Sequence, residues 1–387
     1  MGVTSIQLDD QSRPDPESPL GVRSLLTEIW YPAEDEASTA MANKFSEFVS
    51  ATVASATFRC WKTSLTGGDA RQVLRGTVAG SIPKIEKELS SYGREVTVEL
   101  MDREWHNVGV RDARVRGSGA PAKGYPLVVF SHGNSATRFG YTYLCEMLAS
   151  WGYIVVSPDH TGNCRFTFLD GKFVPMGGPR NGTKDSPTAQ SAVDRPHDIS
   201  FLIDEIERLN SGADCRFTGR VNCAKVGVSG GSFGGYTTMA AAEIDARIAA
   251  VMPLVAGGPL PLGETRTNTS TPAMVLVGAK DATVDNRFNR RYYDETTAPK
   301  FWIELTEGGH MSVNSINQYN KDAGNGIGLS KLRDGSNYTA PPPAETHAIV
   351  NAYMLAFFDR FIKGITANDA FLSENHFGDA VIYAFER

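Results

Sequence analysis

The sequence predicts an α/β protein: a mostly parallel sheet with helices on both faces, preceded by antiparallel strands and carrying a helical insertion. Three observations carry that expectation. From Tyr125 onward, short apolar, β-branched runs alternate with amphipathic stretches, the pattern of parallel strands joined by crossover helices. Before that point the N-terminal segments alternate apolar and polar residues around a Pro/Gly stretch. Between the two regions, apolar residues fall at helical spacing.

Taken in order, Val3-Thr-Ser-Ile-Gln-Leu and Leu25-Leu-Thr-Glu-Ile-Trp-Tyr read as the arms of a hairpin. After Pro32 the texture changes. Phe45, Phe48, Val49 and Val53, then Ile82, Ile85 and Leu89, recur at helical period, so residues 34–93 read as a helical insertion within one domain spanning 1–387. A strand pattern resumes at Val96-Thr-Val-Glu-Leu and continues through Val108 to Val115. Tyr125 to Phe130 is a strand, and Phe139 to Trp151 a helix with Leu144, Leu148 and Trp151 on one face. Tyr153-Ile-Val-Val-Ser follows as a strand, and Arg195 to Leu209 as a helix. Val221, Val226 and Val228 then lead into Ser229-Gly-Gly-Ser-Phe-Gly-Gly-Tyr236. Alanine-rich Thr237 to Ala250 reads as a helix running into the strand Ile248-Ala-Ala-Val-Met-Pro-Leu-Val. Ala273 to Gly278 and Phe301 to Leu305 add two strands, and the amphipathic helix Thr346 to Lys363 closes the pattern through Ile349, Leu355, Phe358 and Ile362.

Composition narrows the partners. A net charge of -6 over 387 residues gives no electrostatic case for nucleic acid or an anionic membrane. No apolar run reaches the roughly 18 residues of a spanning helix, so the chain reads as soluble, either cytoplasmic or exported with its leader removed. The five cysteines show no metal-ligand spacing, and neither a metal nor a cofactor is expected. Cys145 and Cys223 read as small core residues, with a Cys215–Cys223 disulfide an open alternative.

The chemistry centres on Gly230-Gly-Ser-Phe-Gly234, which fits the G-x-S-x-G elbow that lifts a serine above a sheet between strand and helix. A serine hydroxyl is a poor nucleophile at neutral pH and needs a base, and that base needs a group to orient it. Both occur downstream. The strand Val275-Leu-Val-Gly runs into Asp281, and the next strand ends in Glu307-Gly-Gly-His310. Of the seven histidines, only His310 follows the acid on a glycine loop. His132 and His160 sit at strand ends, and His106, His197, His347 and His376 read as surface or capping groups. Asp281 is favoured as the acid over Asp285 and Asp294, which fall where the polar run Asn286-Arg-Phe-Asn-Arg-Arg reads as helix; a helix cap is the bland reading of Asp281. For the oxyanion, the N–H of Phe233 and that of Asn134, in Phe130-Ser-His-Gly-Asn-Ser135, are the candidate donors.

These residues resemble the α/β-hydrolase superfamily, and more narrowly the dienelactone hydrolase-like and platelet-activating-factor acetylhydrolase-like esterases. The resemblance is carried by Glu28-Ile-Trp-Tyr-Pro-Ala33, Pro126-Leu-Val-Val-Phe-Ser-His-Gly133, Pro158-Asp-His-Thr-Gly-Asn163, Arg195-Pro-His-Asp-Ile199 and the Ser232 elbow. It covers most of the chain except the insertion. It implies an α/β-hydrolase fold, a Ser232, Asp281, His310 triad with Asn134 and Phe233 at the oxyanion hole, and cofactor-free hydrolysis of carboxylic esters. True dienelactone hydrolases use a cysteine nucleophile, so that activity does not carry over. The Asp281-Ala-Thr-Val loop is also similar to that of bacterial cutinases and polyester hydrolases, which usually carry methionine where Phe233 stands.

A small-molecule or polymeric ester is therefore the expected substrate, of short acyl or polyester-like type. Two other classes remain. Gly231-Ser-Phe-Gly-Gly-Tyr236 is similar to the elbow of prolyl-oligopeptidase-type peptidases, although the stretch before Tyr125 is too short for their propeller. A hydrolase fold kept as a binding module is the third. Substrate pockets in such folds are built from loops above the strand ends, here residues 34–93, a lid candidate, together with 164–187, 257–271 and 311–343.

Overall fold

The computed structural model describes residues 1–15, 18–42, 44–49, 54–55, 80–90, 94–177, 187–212, 216–257 and 270–387. They divide into two compact units. The first comprises Met1–Leu127, Ser135–Ser191 and Phe201–Cys223, the second Val128–Asn134, Ala192–Ser200 and Ala224–Arg387.

The N-terminal hairpin pairs β1 (Gly2–Pro14) with β2 (Val22–Tyr31) in antiparallel register, as the alternating pattern predicts. The insertion contributes α1 (Phe45–Val49), β3 (Ala54–Ser55) and α2 (Ile82–Ser90). Phe45, Phe48, Ile85 and Leu89 are buried, matching the helical spacing. The rest of 34–93, Val53 included, lies largely outside the described residues, and the lid expectation lies with it.

The strand expected from Val96 is instead helix α3 (Val98–Glu104). Thr97 decides this locally, its side chain accepting the Leu100 N–H at 3.0 Å as an N-cap. Met101 and Trp105 then fall one turn apart and are both buried. Only β4 (Val110–Arg111) survives of the expected strand, paired parallel to β1.

Beyond these come β5 (Tyr125–Ser131), α4 (Thr142–Ser150), β6 (Ile154–Pro158), the hairpin β7 (Phe166–Leu169) and β8 (Lys172–Pro175), and α5 (Pro187–Ser211). Leu144 and Leu148 of α4 are fully buried, but Trp151 is 59% exposed. The helix ends at Ser150, so Trp151 sits at the C-cap, where the helical phase no longer applies. In the first unit β2 pairs antiparallel with β6, and a buried charge network ties these strands together. Glu28 receives Arg111 at 2.6 Å and Arg138 at 3.1 Å, and Arg138 reaches Asp159 at 2.7 Å. Such a pair is tolerable away from water only because each charge is met by an opposite one.

The second unit holds the regular parallel part. β9 (Val221–Gly231), α6 (Phe233–Ile244), β10 (Ile248–Leu254), β11 (Ala273–Gly278), α7 (Asn286–Glu295) and β12 (Lys300–Leu305) alternate, with β9, β10, β11 and β12 parallel in that order. Next come the hairpin β13 (Leu329–Lys331) and β14 (Asn337–Thr339), α8 (Pro343–Phe361) and β15 (Val381–Glu386). β15 pairs antiparallel with β12 over its whole length. Helices cover both faces. Phe301 meets Phe357 of α8 at 5.8 Å between ring centroids, whereas the next residue, Trp302, meets Tyr293 of α7 at 6.0 Å. Neighbouring strand residues point to opposite faces, so α8 and α7 lie on opposite sides of β12.

Among the described residues, no helix is long and apolar enough to cross a membrane. Cys145 and Cys164 are buried thiols, and Cys215 lies outside the described residues, so its pairing with Cys223 is not described.

Candidate active site

All the singled-out site residues lie in the second unit. Ser232 stands between β9 and α6 with φ 55° and ψ -119°, a region that non-glycine residues occupy only when the surroundings force it. The forcing is visible. The Ser232 N–H donates to the Leu254 carbonyl at 2.9 Å, and the Ser232 carbonyl accepts from Gly235 at 2.8 Å and Gly257 at 3.0 Å. The flanking glycines are a steric requirement. A Cβ on Gly230 would lie 2.5 Å from the Gly234 carbonyl oxygen, and one on Gly234 would overlap the Ser131 carbonyl. Ser232 does not cap α6 with its own hydroxyl, and it keeps partial exposure between buried Gly231 and Phe233.

Asp281 and His310 are brought together. The His310 Nδ1 and Asp281 Oδ2 lie 2.7 Å apart, and both residues are buried. The other Asp281 oxygen accepts the N–H groups of Thr283 at 2.7 Å and Val284 at 2.8 Å. The loops carrying the two residues run close because both are glycine-rich: a Cβ on Gly278 would lie 2.5 Å from the Gly308 carbonyl. The rival carboxylates are occupied elsewhere. Asp285 caps α7, accepting from Arg287 N at 2.9 Å, and the hydrogen bond from the Arg287 side chain leads the causes that hold its carboxyl down to about 2. Asp294 pairs with Arg290.

Phe233 is the first residue of α6, where a helix leaves N–H groups without an intrahelical acceptor. Asn134 sits on an exposed turn beyond β5, just after buried Gly133. A residue whose role the sequence does not disclose links these two positions. Arg195, on α5, is fully buried; it donates to the Ser131 hydroxyl at 2.9 Å and to the His132 carbonyl, and its guanidinium lies 4.6 Å from the centre of the Phe233 ring. Its place in Arg195-Pro-His-Asp-Ile199 was the available signal, but a lone arginine beside a proline does not disclose its partners.

The other histidines lie elsewhere. His132 is buried with Nδ1 2.6 Å from the Gly133 carbonyl, and His160 is buried. His106, His197 and His376 are exposed. Burial holds His347 down to about 4 against hydrogen bonds to the backbone of Ser312 and Asn314.

The chain is similar to known proteins. Residues 107–169 match the family model described as platelet-activating factor acetylhydrolase, isoform II. Residues 171–382, more than half of the chain, match the model described as PET hydrolase-like. A solved ferulic acid esterase from Streptomyces cinnamoneus covers 100% of this chain and 96% of its own, with a TM-score of 0.67 at 22% identity. That likeness shows the α/β-hydrolase fold.

Proposed function

Because the chain belongs to the PET hydrolase-like family, we propose that it cleaves esters through Ser232 as nucleophile, His310 as general base and Asp281 as the acid that orients the imidazole. The chain is a carboxylic ester hydrolase of the α/β-hydrolase fold. The observation that carries the residue assignment is the 2.7 Å contact between His310 Nδ1 and Asp281 Oδ2.

On this reading His310 Nε2 takes the Ser232 hydroxyl proton as Oγ attacks the ester carbonyl carbon. The carbonyl π electrons move onto oxygen, and the N–H groups of Phe233 and Asn134 receive that charge; one such donor typically supplies ~3 kcal/mol. Collapse re-forms the carbonyl, breaks the bond to the alkoxide and passes it the proton held by His310. Water, giving a proton to His310, then attacks the acyl carbon; collapse breaks the bond to Ser232 Oγ, His310 returns the proton to that oxygen, and the carboxylic acid leaves. Asp281 stays ionised and keeps the Nδ1 tautomer fixed.

Matches to an acetylhydrolase model and to a PET hydrolase model favour a short acyl group or a polyester as substrate. The same reading takes 1–387 as one catalytic domain with 34–93 inserted in it.

A fluorophosphonate probe tests the assignment: the adduct is expected on Ser232 and absent from Ser232→Ala, and labelling of another residue would move the nucleophile. A panel of p-nitrophenyl esters of rising acyl length, an aromatic polyester film and a peptide amide then ranks the substrates. Turnover is expected to peak at the short esters or the film; a peptide amide cleaved as fast as either would replace this reading with a peptidase.

A further inference from the structure

We propose that Asn325 is a positioning residue that fastens the Asp281 loop and the His310 loop into one piece. The proposal rests on the triad reading above. The glycine- and asparagine-rich stretch 321–338, expected from its composition to be mobile beside His310, is bonded at both loops.

The Asn325 Oδ1 accepts the N–H of His310 at 3.0 Å and that of Ala282 at 3.1 Å. Its Nδ2 donates to the Thr283 hydroxyl at 2.6 Å, and its carbonyl accepts from Met311 at 2.8 Å. One side chain thus touches the residue after the acid, the turn that binds the acid, and the histidine itself. Asparagine suits the task chemically. Two converging N–H donors demand an oxygen with two lone pairs, the hydroxyl accepts from an amide, and the residue sits at φ 46°, where asparagine is better tolerated than most.

Neighbouring contacts hold the clamp. A Cβ on Gly309 would lie 2.5 Å from the Asn325 carbonyl carbon, so the approach depends on that glycine. The Ser312 hydroxyl accepts from Gly309 at 2.9 Å and donates to the Gly326 carbonyl at 3.0 Å. Further along the same stretch, Arg333 Nε donates to the Asp281 carbonyl at 3.0 Å.

The consequence follows from how the acid is held. Asp281 Oδ1 is held by the Thr283 and Val284 N–H groups, which aims Oδ2 at the imidazole. Asn325 closes that turn from outside while fixing the His310 backbone. Releasing it leaves the two loops joined mainly by the Lys280 N–H to Gly308 carbonyl bond at 2.8 Å and by the Asp281–His310 contact itself, and a misplacement of about 1 Å in such a site lowers rate ~10²-fold.

Asn325→Gly removes the clamp while suiting the positive φ, and Asn325→Asp keeps the oxygen acceptors. In the full chain with p-nitrophenyl acetate, Asn325→Gly is expected to lower kcat about 10- to 100-fold with KM nearly unchanged. Its downfield His310 Nδ1 proton resonance, identified by its loss in His310→Ala, is expected to broaden by exchange with water. Asn325→Asp is expected to keep more of the rate and to move the acidic limb of the kcat profile upward, because the added carboxylate favours imidazolium.

Wild-type kcat and a sharp resonance in Asn325→Gly, even with a lowered melting temperature, would leave Asn325 a purely structural residue and overturn the proposal. Should Asn325→Gly fail to fold, an unmoved acidic limb in Asn325→Asp does the same. Undiminished turnover in Ser232→Ala or His310→Ala instead brings down the triad reading on which the proposal stands.

Discussion

His310 meets Asp281 through a single carboxylate oxygen, Oδ2 at 2.7 Å, while the other oxygen is held by the N–H groups of Thr283 and Val284. The carboxylate therefore cannot rotate without giving up backbone hydrogen bonds. Asp281→Asn either turns an NH2 toward the imidazole or sets it against those backbone donors. The variant is expected to lose ~10³–10⁴-fold in kcat. Asp285→Asn, which alters the α7 cap, the exposed pair with Arg287 and a looser 3.8 Å contact with Arg333, is expected to stay within about threefold. Steady-state kinetics on p-nitrophenyl acetate compares the two, and the opposite ranking would hand the acid role to Asp285.

The elbow glycines give a second expectation. Gly234→Ala sets a methyl into the Ser131 carbonyl, backbone against backbone with nothing flexible to yield. Unfolding in urea should show a loss of about 3 kcal/mol or more. Gly364→Ala is the useful contrast: nothing lies within 4 Å of its Cβ, and only the φ of +77° resists, which amounts to ~1–2 kcal/mol. Equal losses would contradict the steric account of the elbow.

Arg195 offers a third. It holds the β5 loop through Ser131 and His132 and lies against the ring of Phe233, so it braces the segments that bear both candidate oxyanion donors. Arg195→Met is expected to lower kcat about 10- to 100-fold with little change in KM. Arg195→Lys should not restore it, since an ammonium lacks the planar fork needed to serve the loop and cover the ring together. A lysine variant with wild-type kcat would reduce Arg195 to a point charge.

A pH dependence of stability follows from Glu146 on the buried face of α4. Burial outweighs the N–H groups of Gly109 and Val108 and pushes its carboxyl up from the ordinary 4.5 to about 7. The folded state thus favours the protonated form. The stability so gained is fully present below pH ~4.5 and is lost as pH rises through about 7, on the order of 3 kcal/mol. Melting temperatures from pH 5 to 8 should fall in the wild type relative to Glu146→Gln; parallel curves would mean that Glu146 ionises normally.

Much of this was legible in the sequence because it rests on local pattern. The parallel strands show as β-branched runs, and Ser232, Asp281 and His310 each stand where a strand ends at or near glycine. What was not legible depends on partners. Val96 to Leu100 has strand propensity, but the Thr97 cap and the burial of Met101 and Trp105 make it helix. Pro196 signals a helix start, yet α5 begins at Pro187 and runs through it. β15 is not legible in the sequence because only the partner β12 makes the half-exposed run Val381-Ile-Tyr-Ala-Phe a strand. Arg195 and Asn325 were hidden for a related reason. Their contacts join segments far apart in the chain, and a single sequence records no such pairing.

β15 also decides what the protein shows to its neighbours in a crowded solution. By pairing with Lys300-Phe-Trp-Ile-Glu-Leu305, it makes a predominantly apolar strand an interior one. Near its end, Glu386 ties it to β12 and α7 through Lys300 at 3.2 Å and the Tyr293 hydroxyl at 3.1 Å. Proteolytic loss of 381–387 would strip that cover and leave the β12 backbone as a template for strand addition by another copy. Colloidal behaviour is thus guarded by a segment that supplies none of the proposed catalytic residues, and a nicked preparation should clump while its untrimmed fraction stays dispersed.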